Sequence, residues 1–426
     1  MQRRTHEPDV MADDRVELAG TCSLGPLPPV EPVCRRFWLI VLDGLGIGQP
    51  EVGGAWADDQ GADTFASVEQ AADGLDLPNL ARLGLRPLLA GLAGATDAWA
   101  QGSSARLIPL SLGKDTLTGH WELAGIVTDQ LMWTFPDGLP QTLLDRLATA
   151  FGRGVLGGMP ASGTAVIDRY GTTHLRTGKP IIYTSADSVI QIAAHIDVIA
   201  KEELYRLCAL AREVAQGEWL VGRVIARPFY GEPGRFRRDG AGRRDYSVVP
   251  PGPTVLDAAS EAGIEVVAIG KINDIFGGRG ISRSIKASGN DAVIQALDEL
   301  RSSVPERRQI IFANLNDFDS LYGHRRDAVG FGAALEHFDA ALAGLLPSTA
   351  TGEEIMAITA DHGCDPGHAG TDHTRETVPL FVAGASWPPA CLGTVEGLTA
   401  VAGLIAGGFG LQGFNFWSRK TITSVG

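Results

Sequence analysis

The chain has 426 residues, 44% of them hydrophobic and 20% charged, a globular composition with length for two domains, since a single core seldom grows past about 250 to 300 residues. A net charge of -14 excludes a general nucleic-acid or membrane-surface binder, either of which needs a basic surplus, and leaves small anionic substrates in a local basic pocket. The five cysteines, Cys22, Cys34, Cys208, Cys364 and Cys391, are odd in number and lack CxxC spacing, so they read as reduced thiols of a cytoplasmic protein.

In chain order, residues 1–34 carry charges such as Arg3, Asp13 and Arg15 but no apolar run fit for a secretory signal, and read as a disordered leader. The run FWLIVL, residues 37–42, has strand length and ends in DGLGIG, the pattern of a buried parallel strand feeding a loop. GKDTLTGHWE, residues 113–122, sets two threonines, an Asp and a His in a glycine-bounded segment. A turn that presents a threonine hydroxyl needs a partner to activate it, because the free hydroxyl is a poor nucleophile near neutral pH. Residues 129–253 are rich in Gly, Pro and Arg and carry the amphipathic pattern EELYRLCALAREVAQ; they read as an inserted cap domain. Beyond them, the strand-like runs IEVVAIG, QIIFANL, EIMAITA and VPLFVAG alternate with the helical patterns NDAVIQALDELRSSV and AVGFGAALEHFDAALAGLL. That alternation predicts an α/β core with a mostly parallel sheet, assembled from residues 35–128 and 254–426. Residues 397–418 are uncharged, but six glycines interrupt them, which predicts a buried C-terminal helix followed by a tail and no membrane span.

Acidic and imidazole groups gather just beyond the strands, at the edge where open α/β sheets bind ligands. Asp43 follows the first run. Asp317, Asp319 and His324 follow QIIFANL, Asp361 and His362 follow EIMAITA, and His373 lies in GTDHTRE. Singly, an Asp there is a helix cap and a His a satisfied core or surface group. As a set they say more, because His120, His324, His362, His368 and His373, five of the nine histidines, fall within these loops. Three carboxylates and three imidazoles suit two divalent ions with three protein ligands each. Two ions about 4 Å apart can depress a hydroxyl pKa and stabilise entering and leaving phosphoryl oxygens, so the partner of the threonine would be a metal ion and not a side-chain base.

The motifs DGLGIG, GKDTLTGHWE, PASGTAVI, TGKPIIYTSADSVIQIAAH, VGRVIARPFYGEPG, AIGKINDIFGGRGI, NLNDFDSLYGHRRD and ADHGCDPGHAGTDHTRE resemble those of the metal-dependent bacterial phosphopentomutases of the alkaline phosphatase superfamily, over roughly residues 37–415. The resemblance implies an alkaline-phosphatase-like core, with Thr116 the nucleophile that becomes phosphothreonine and Thr118 its neighbour. It implies one manganese site at Asp319, His324 and His373 and another at Asp43, Asp361 and His362, completed by the Thr116 oxygen. His120, Asp317 and His368 are left to supporting roles. Ser185 and Asp187 would face sugar hydroxyls, and Arg223, Arg238 and Lys271 the distal phosphate. The sequence departs from the family pattern at Gly44, where a serine is usual, in a slightly long loop at residues 235–244, and in residues 1–34, which have no counterpart.

The implied reaction interconverts ribose 1-phosphate and ribose 5-phosphate, and the 2-deoxy sugars likewise, through a sugar bisphosphate that also activates the enzyme. Small pentose phosphates are the expected partners, with two Mn2+ ions as cofactor and no nucleic acid, membrane or obligate protein partner. Two rivals stand against it. A phosphate-monoester hydrolase would use the same metals with water as acceptor, and the cap motifs disfavour it. A non-catalytic sugar-phosphate binder would have lost a ligand or the nucleophile, and all seven residues are present.

Overall fold

The computed structural model describes residues 34–50, 59–91, 101–185, 188–347, 353–384 and 389–414. Along them run the strands β1 (Arg36–Leu42), β2 (Gly102–Ile108), β3 (Leu156–Pro160), β4 (Ile181–Thr184), β5 (Val189–His195), β6 (Arg223–Tyr230), β7 (Arg237–Arg238), β8 (Arg244–Ser247), β9 (Glu265–Ile269), β10 (Arg283–Ile285), β11 (Gln309–Leu315), β12 (Glu354–Thr359), β13 (Val378–Ala383) and β14 (Ala390–Glu396). They form two sheets.

The larger sheet has the order β10-β9-β11-β1-β12-β13-β2-β14. Strand β1 lies between parallel neighbours β11 and β12 and is buried along its whole length, which is why its sequence is a continuous apolar run with no alternation. The register pairs Leu42 with Leu315 and Val41 with Thr359, so the residues just past all three strands emerge together at one edge. The sheet is mostly parallel as expected, and strand β13 is where it departs, running against both neighbours, β12 and β2. The cause is the connection: residues 360–377 leave and re-enter the sheet at the same edge without a crossover, and a chain that turns back in this way can only pair antiparallel.

The smaller sheet, from residues 156–247, has the order β3-β4-β5-β6-β7, with β8 also on β6. The helix Lys201–Val214 packs one face of it through Leu204, Leu207, Cys208 and Ala211, spaced at 3, 4 and 7 residues as an amphipathic helix requires. The helix Gly163–Thr177 covers the other face through Val166 and Ile167, against Tyr183 and Phe229. The edge where β6 begins lies against the core: a Cβ on Gly222 would come within 3.1 Å of Leu117.

Cys34, at the end of the expected leader, is buried and donates its N–H to the Gly408 carbonyl. Residues 1–33 lie outside the described residues. The helix Ala400–Phe409 is almost wholly buried, and among the described residues no helix is long and apolar enough to cross a membrane.

Candidate active site

The parallel register delivers Asp43 and the pair Asp361 and His362 to a single point. Asp43 is fully buried and Asp361 and His362 nearly so. His362 Nε2 lies 3.4 Å from Asp43 Oδ1 and 3.2 Å from Asp361 Oδ2. The Gly44 N–H donates to Asp361 Oδ1 at 3.2 Å from a left-handed backbone conformation, φ +80°, which suits glycine at this position. The third cluster member comes from beyond β11. There the chain makes a single π-helical turn, Phe318–Gly323, in which the His324 N–H bonds the Asp319 carbonyl. Because such a turn joins residues five apart, Asp319 and His324 share one face. Asp319 Oδ1 is 3.4 Å from His324 Nε2 and 3.3 Å from His373 Nε2.

A metal fits these residues on the evidence of their unused atoms. Asp43 Oδ1, Asp319 Oδ1, Asp361 Oδ2 and His373 Nε2 are all buried without a hydrogen-bond partner, a costly state that a cation at their centre relieves. Groups whose ligand atoms lie within 4.8 Å of one another are Asp43, Asp361 and His362; Asp319, His362 and His373; and Asp319, His324 and Cys364. The six expected ligands therefore form one continuous cluster, with the His362 and His373 rings 4.1 Å apart at its middle.

Thr116 faces this cluster as the first residue of the helix Thr116–Leu123, its Oγ1 3.1 Å from His362 Nε2. Asp115 caps the helix, accepting from the Thr118 N–H and the Thr118 hydroxyl, so the second threonine is occupied in holding the turn. Gly119 lets the helix press onto the metal loop: a Cβ there would sit 2.3 Å from the Asp361 carbonyl oxygen. A phosphoryl group on Thr116 would lie at a helix N-terminus, where free amides and the dipole favour negative charge.

The remaining expected residues are divided between the two sheets. Register sets Tyr183, Gln191 and Ile225 side by side, so Ser185, just past β4, and Arg223, at the start of β6, leave the same edge. The Arg223 N–H donates to the Ser188 carbonyl at 3.1 Å, and Asp187 lies outside the described residues. Arg238 is exposed on β7, and its guanidinium reaches back to Gly163, at the start of the helix Gly163–Thr177. Lys271 belongs to the core sheet edge, where its ammonium bonds Asn316 Oδ1. Asp317 accepts from the Asn290 N–H at 2.7 Å at the start of the helix Asn290–Arg301, and so serves as a structural tie.

Residues 35–413 match the family model described as the Metalloenzyme superfamily, and divalent-metal binding follows from that membership together with the cluster. The chain is 48% identical over 349 residues to a protein of Caldanaerobacter subterraneus subsp. tengcongensis named phosphopentomutase, covering 82% of this chain and 87% of that protein. It is 45% identical over 393 residues to the phosphopentomutase of Carboxydothermus hydrogenoformans, covering 90% and 99%, and 46% identical over 385 residues to that of Syntrophotalea carbinolica, covering 89% and 95%. The chain belongs to the phosphopentomutase family.

Three residues that sequence reasoning passed over complete the site of this phosphopentomutase family member. Asn314, inside β11, donates to Asp43 Oδ2 at 2.9 Å. Cys364 sits 3.9 Å from His324 Nδ1, its thiol pushed far up by burial and the Asp319 carboxylate. Glu376 accepts from the Thr64 and Thr374 hydroxyls at 2.7 and 2.6 Å and from the Gly48 N–H at 3.0 Å. It thereby ties the loop after β1 to the loop after β12, and burial pushes its carboxyl up to about 7 against those donors.

The field of the cluster favours positive charge. Burial alone would lower His362, but Asp361, Asp43 and Asp319 raise it to about 10. Burial raises Asp319, and His373, His362 and His324 outweigh it and hold the carboxyl well below the usual range. Burial and the neighbouring Asp361 push Asp43 up. A metal ligated by His362 must displace the proton that this raised value keeps on the ring, so apparent metal affinity is expected to rise about tenfold per pH unit through neutrality. Calorimetric titration in buffers of differing ionisation enthalpy checks this as proton release on binding. Affinity independent of pH between about 6 and 8 would show that His362 is neutral beforehand.

Proposed function

We propose that the chain is a phosphopentomutase that interconverts ribose 1-phosphate and ribose 5-phosphate, and the 2-deoxyribose equivalents, through phosphothreonine at Thr116 and a sugar bisphosphate. The observation that carries this reading is Thr116 at a helix N-terminus, 3.1 Å from His362 Nε2, facing a cluster in which one oxygen of each of Asp43, Asp319 and Asp361 is buried without a hydrogen bond. Asp43, Asp361 and His362 would hold one divalent ion and Asp319, His324 and His373 the other, with Mn2+ the expected metal. When bound, the pair supplies Lewis-acid stabilisation of phosphoryl oxygens.

In this mechanism phosphothreonine passes its phosphoryl group to the free hydroxyl of the sugar phosphate, and the bisphosphate turns over and returns its other phosphoryl group to Thr116. A sugar bisphosphate phosphorylates the enzyme at first. Residues 129–253 act as a cap over the core of residues 35–128 and 254–426, with Ser185 and Asp187 toward the sugar hydroxyls and Arg223, Arg238 and Lys271 toward the phosphate that is not reacting. The cap keeps water from phosphothreonine through both half-reactions. The buried free thiols Cys34, Cys208, Cys364 and Cys391 fit a cytoplasmic enzyme. The deciding assay follows ribose 5-phosphate formation from ribose 1-phosphate with Mn2+ while monitoring free phosphate. Phosphate release alone would make the protein a hydrolase.

The cap carries its own prediction. Charge-assisted bonds from Arg223 and Lys271 to the resting phosphate are worth about 1.5 to 3 kcal/mol each, so Arg223→Ala and Lys271→Ala are each expected to slow mutase turnover roughly ten- to a hundredfold. Phosphothreonine would still form, and a looser cap would raise the ratio of free phosphate to ribose 5-phosphate. An unchanged ratio and rate in both variants would remove these residues from the substrate site.

A further inference from the structure

Asn314 and His120 form a buried bridge between the two parts of the site. The Asn314 Nδ2 group donates to Asp43 Oδ2 at 2.9 Å and lies 3.0 Å from His120 Nε2. A side-chain amide nitrogen is only a donor, so Nε2 accepts and the ring proton sits on Nδ1. That nitrogen is 2.9 Å from the Thr116 carbonyl oxygen and 3.1 Å from Asp361 Oδ2. The ring stacks on Phe312 of β11, centroids 5.7 Å apart at 21°, and His120 and Asn314 are at most 1% exposed. The amide orientation follows from Asp43, because the opposite flip would set the Asn314 oxygen against a carboxylate oxygen.

Resting on the catalytic reading above, we propose that Asn314 and His120 are positioning residues that set the nucleophile against the metal cradle. At one end, Asn314 occupies Asp43 Oδ2 and leaves Oδ1, the atom without a partner, to face the cluster. At the other, His120 Nδ1 faces both the Thr116 carbonyl oxygen and Asp361 Oδ2 and so holds the first turn of the nucleophile's helix against a second carboxylate of the cradle. Partners of this kind, one bond removed from a metal ligand, change metal affinity or activity by about ten- to a hundredfold when lost.

The two ends separate by substitution at one residue. In His120→Asn the amide nitrogen takes the place of Nδ1 and keeps a donor for Thr116, but nothing reaches Asn314. In His120→Gln the amide oxygen takes the place of Nε2 and keeps an acceptor for Asn314, but the Thr116 carbonyl and Asp361 Oδ2 lose the donor they face. We expect Asn314→Ala and His120→Asn to weaken Mn2+ binding, read from the free-ion EPR signal, about ten- to a hundredfold. His120→Gln, which takes the Nδ1 donor from Asp361 Oδ2 as well as from Thr116, is expected to weaken Mn2+ binding too and, at saturating Mn2+, to lower kcat and the rate of phosphothreonine formation about tenfold with KM unchanged. Wild-type Mn2+ affinity in both Asn314→Ala and His120→Asn would overturn the proposal. So would a His120→Gln variant whose kcat and rate of phosphothreonine formation at saturating Mn2+ match those of His120→Asn, since that is the signature of packing alone. If the wild type lacked mutase activity, the catalytic reading would fail while the Mn2+ titrations still decided the bridge.

Discussion

Thr116→Ala is expected to lower mutase turnover on the order of 10^4-fold or more, the scale on which removal of a nucleophile acts, whereas Thr118→Ala should keep a rate within about tenfold of the wild type. The two hydroxyls lie in one turn and differ in what they touch. Thr116 Oγ1 faces His362 Nε2. Thr118 is buried, and its hydroxyl donates to Asp115 Oδ2 at 2.8 Å. Removing that bond costs about 1 kcal/mol of stability and leaves the Asp115 cap on the Thr118 N–H in place. Peptide mapping of enzyme treated with a sugar bisphosphate should find phosphate on Thr116 and none on Thr118. Phosphate on Thr118, or a Thr116→Ala enzyme with near-normal turnover, would overturn the assignment.

The segment GKDTLTGHWE shows what the sequence made legible and what it hid. Its chemistry could be read from residue types, because two threonines with an Asp and a His between glycines point to a presented hydroxyl. The ends of β1, β11 and β12 were legible for the same reason: buried parallel strands are continuous apolar runs, and acidic residues within a few positions of their ends are conspicuous. Relations between distant segments were not legible. Gly119 is required by the Asp361 carbonyl, and Glu122 gathers the N–H groups of Leu110, Ser111 and Leu398. Neither tie has a local signature, since Asp361 and Leu398 arrive only when the first and last thirds of the chain fold together. Asn314 was hidden differently, as one polar residue within an apolar strand, which reads as a tolerated exception until Asp43 and His120 are set beside it. The reversal of β13 was hidden too, because direction depends on where a connection crosses the sheet and an apolar run carries no direction.

Asp361→Asn is expected to weaken divalent-metal binding on the order of a hundredfold and to lower turnover with it. Of its two oxygens, Oδ1 accepts the Gly44 N–H and Oδ2 faces the cluster, 3.1 Å from His120 Nδ1 and 3.2 Å from His362 Nε2, so the substitution either turns an amide donor toward the cluster or sets it against the Gly44 donor. Electrostatics in the metal-free protein pull in two directions. Burial raises the Asp361 carboxyl, and His362 and His120 outweigh it and hold it at about 2. A carboxyl depressed below its unfolded value adds stability above that unfolded value and loses it as pH falls through the folded one, so Asn forfeits that contribution at pH 7. Against this, Asp43 loses a charged neighbour that pushes its own pKa up, and a buried carboxyl held high is a burden at pH 7 that the variant relieves. The metal-free melting temperature of each protein is the baseline from which the metal effect is read. The metal-induced rise behaves otherwise, because binding stabilises by RT ln(1 + [L]/Kd) and a hundredfold weaker Kd takes away about 2.7 kcal/mol at saturating metal. Thermal melts with and without Mn2+ therefore isolate ligation from folding. A variant whose metal-induced shift matches the wild type would remove Asp361 from the ligand set.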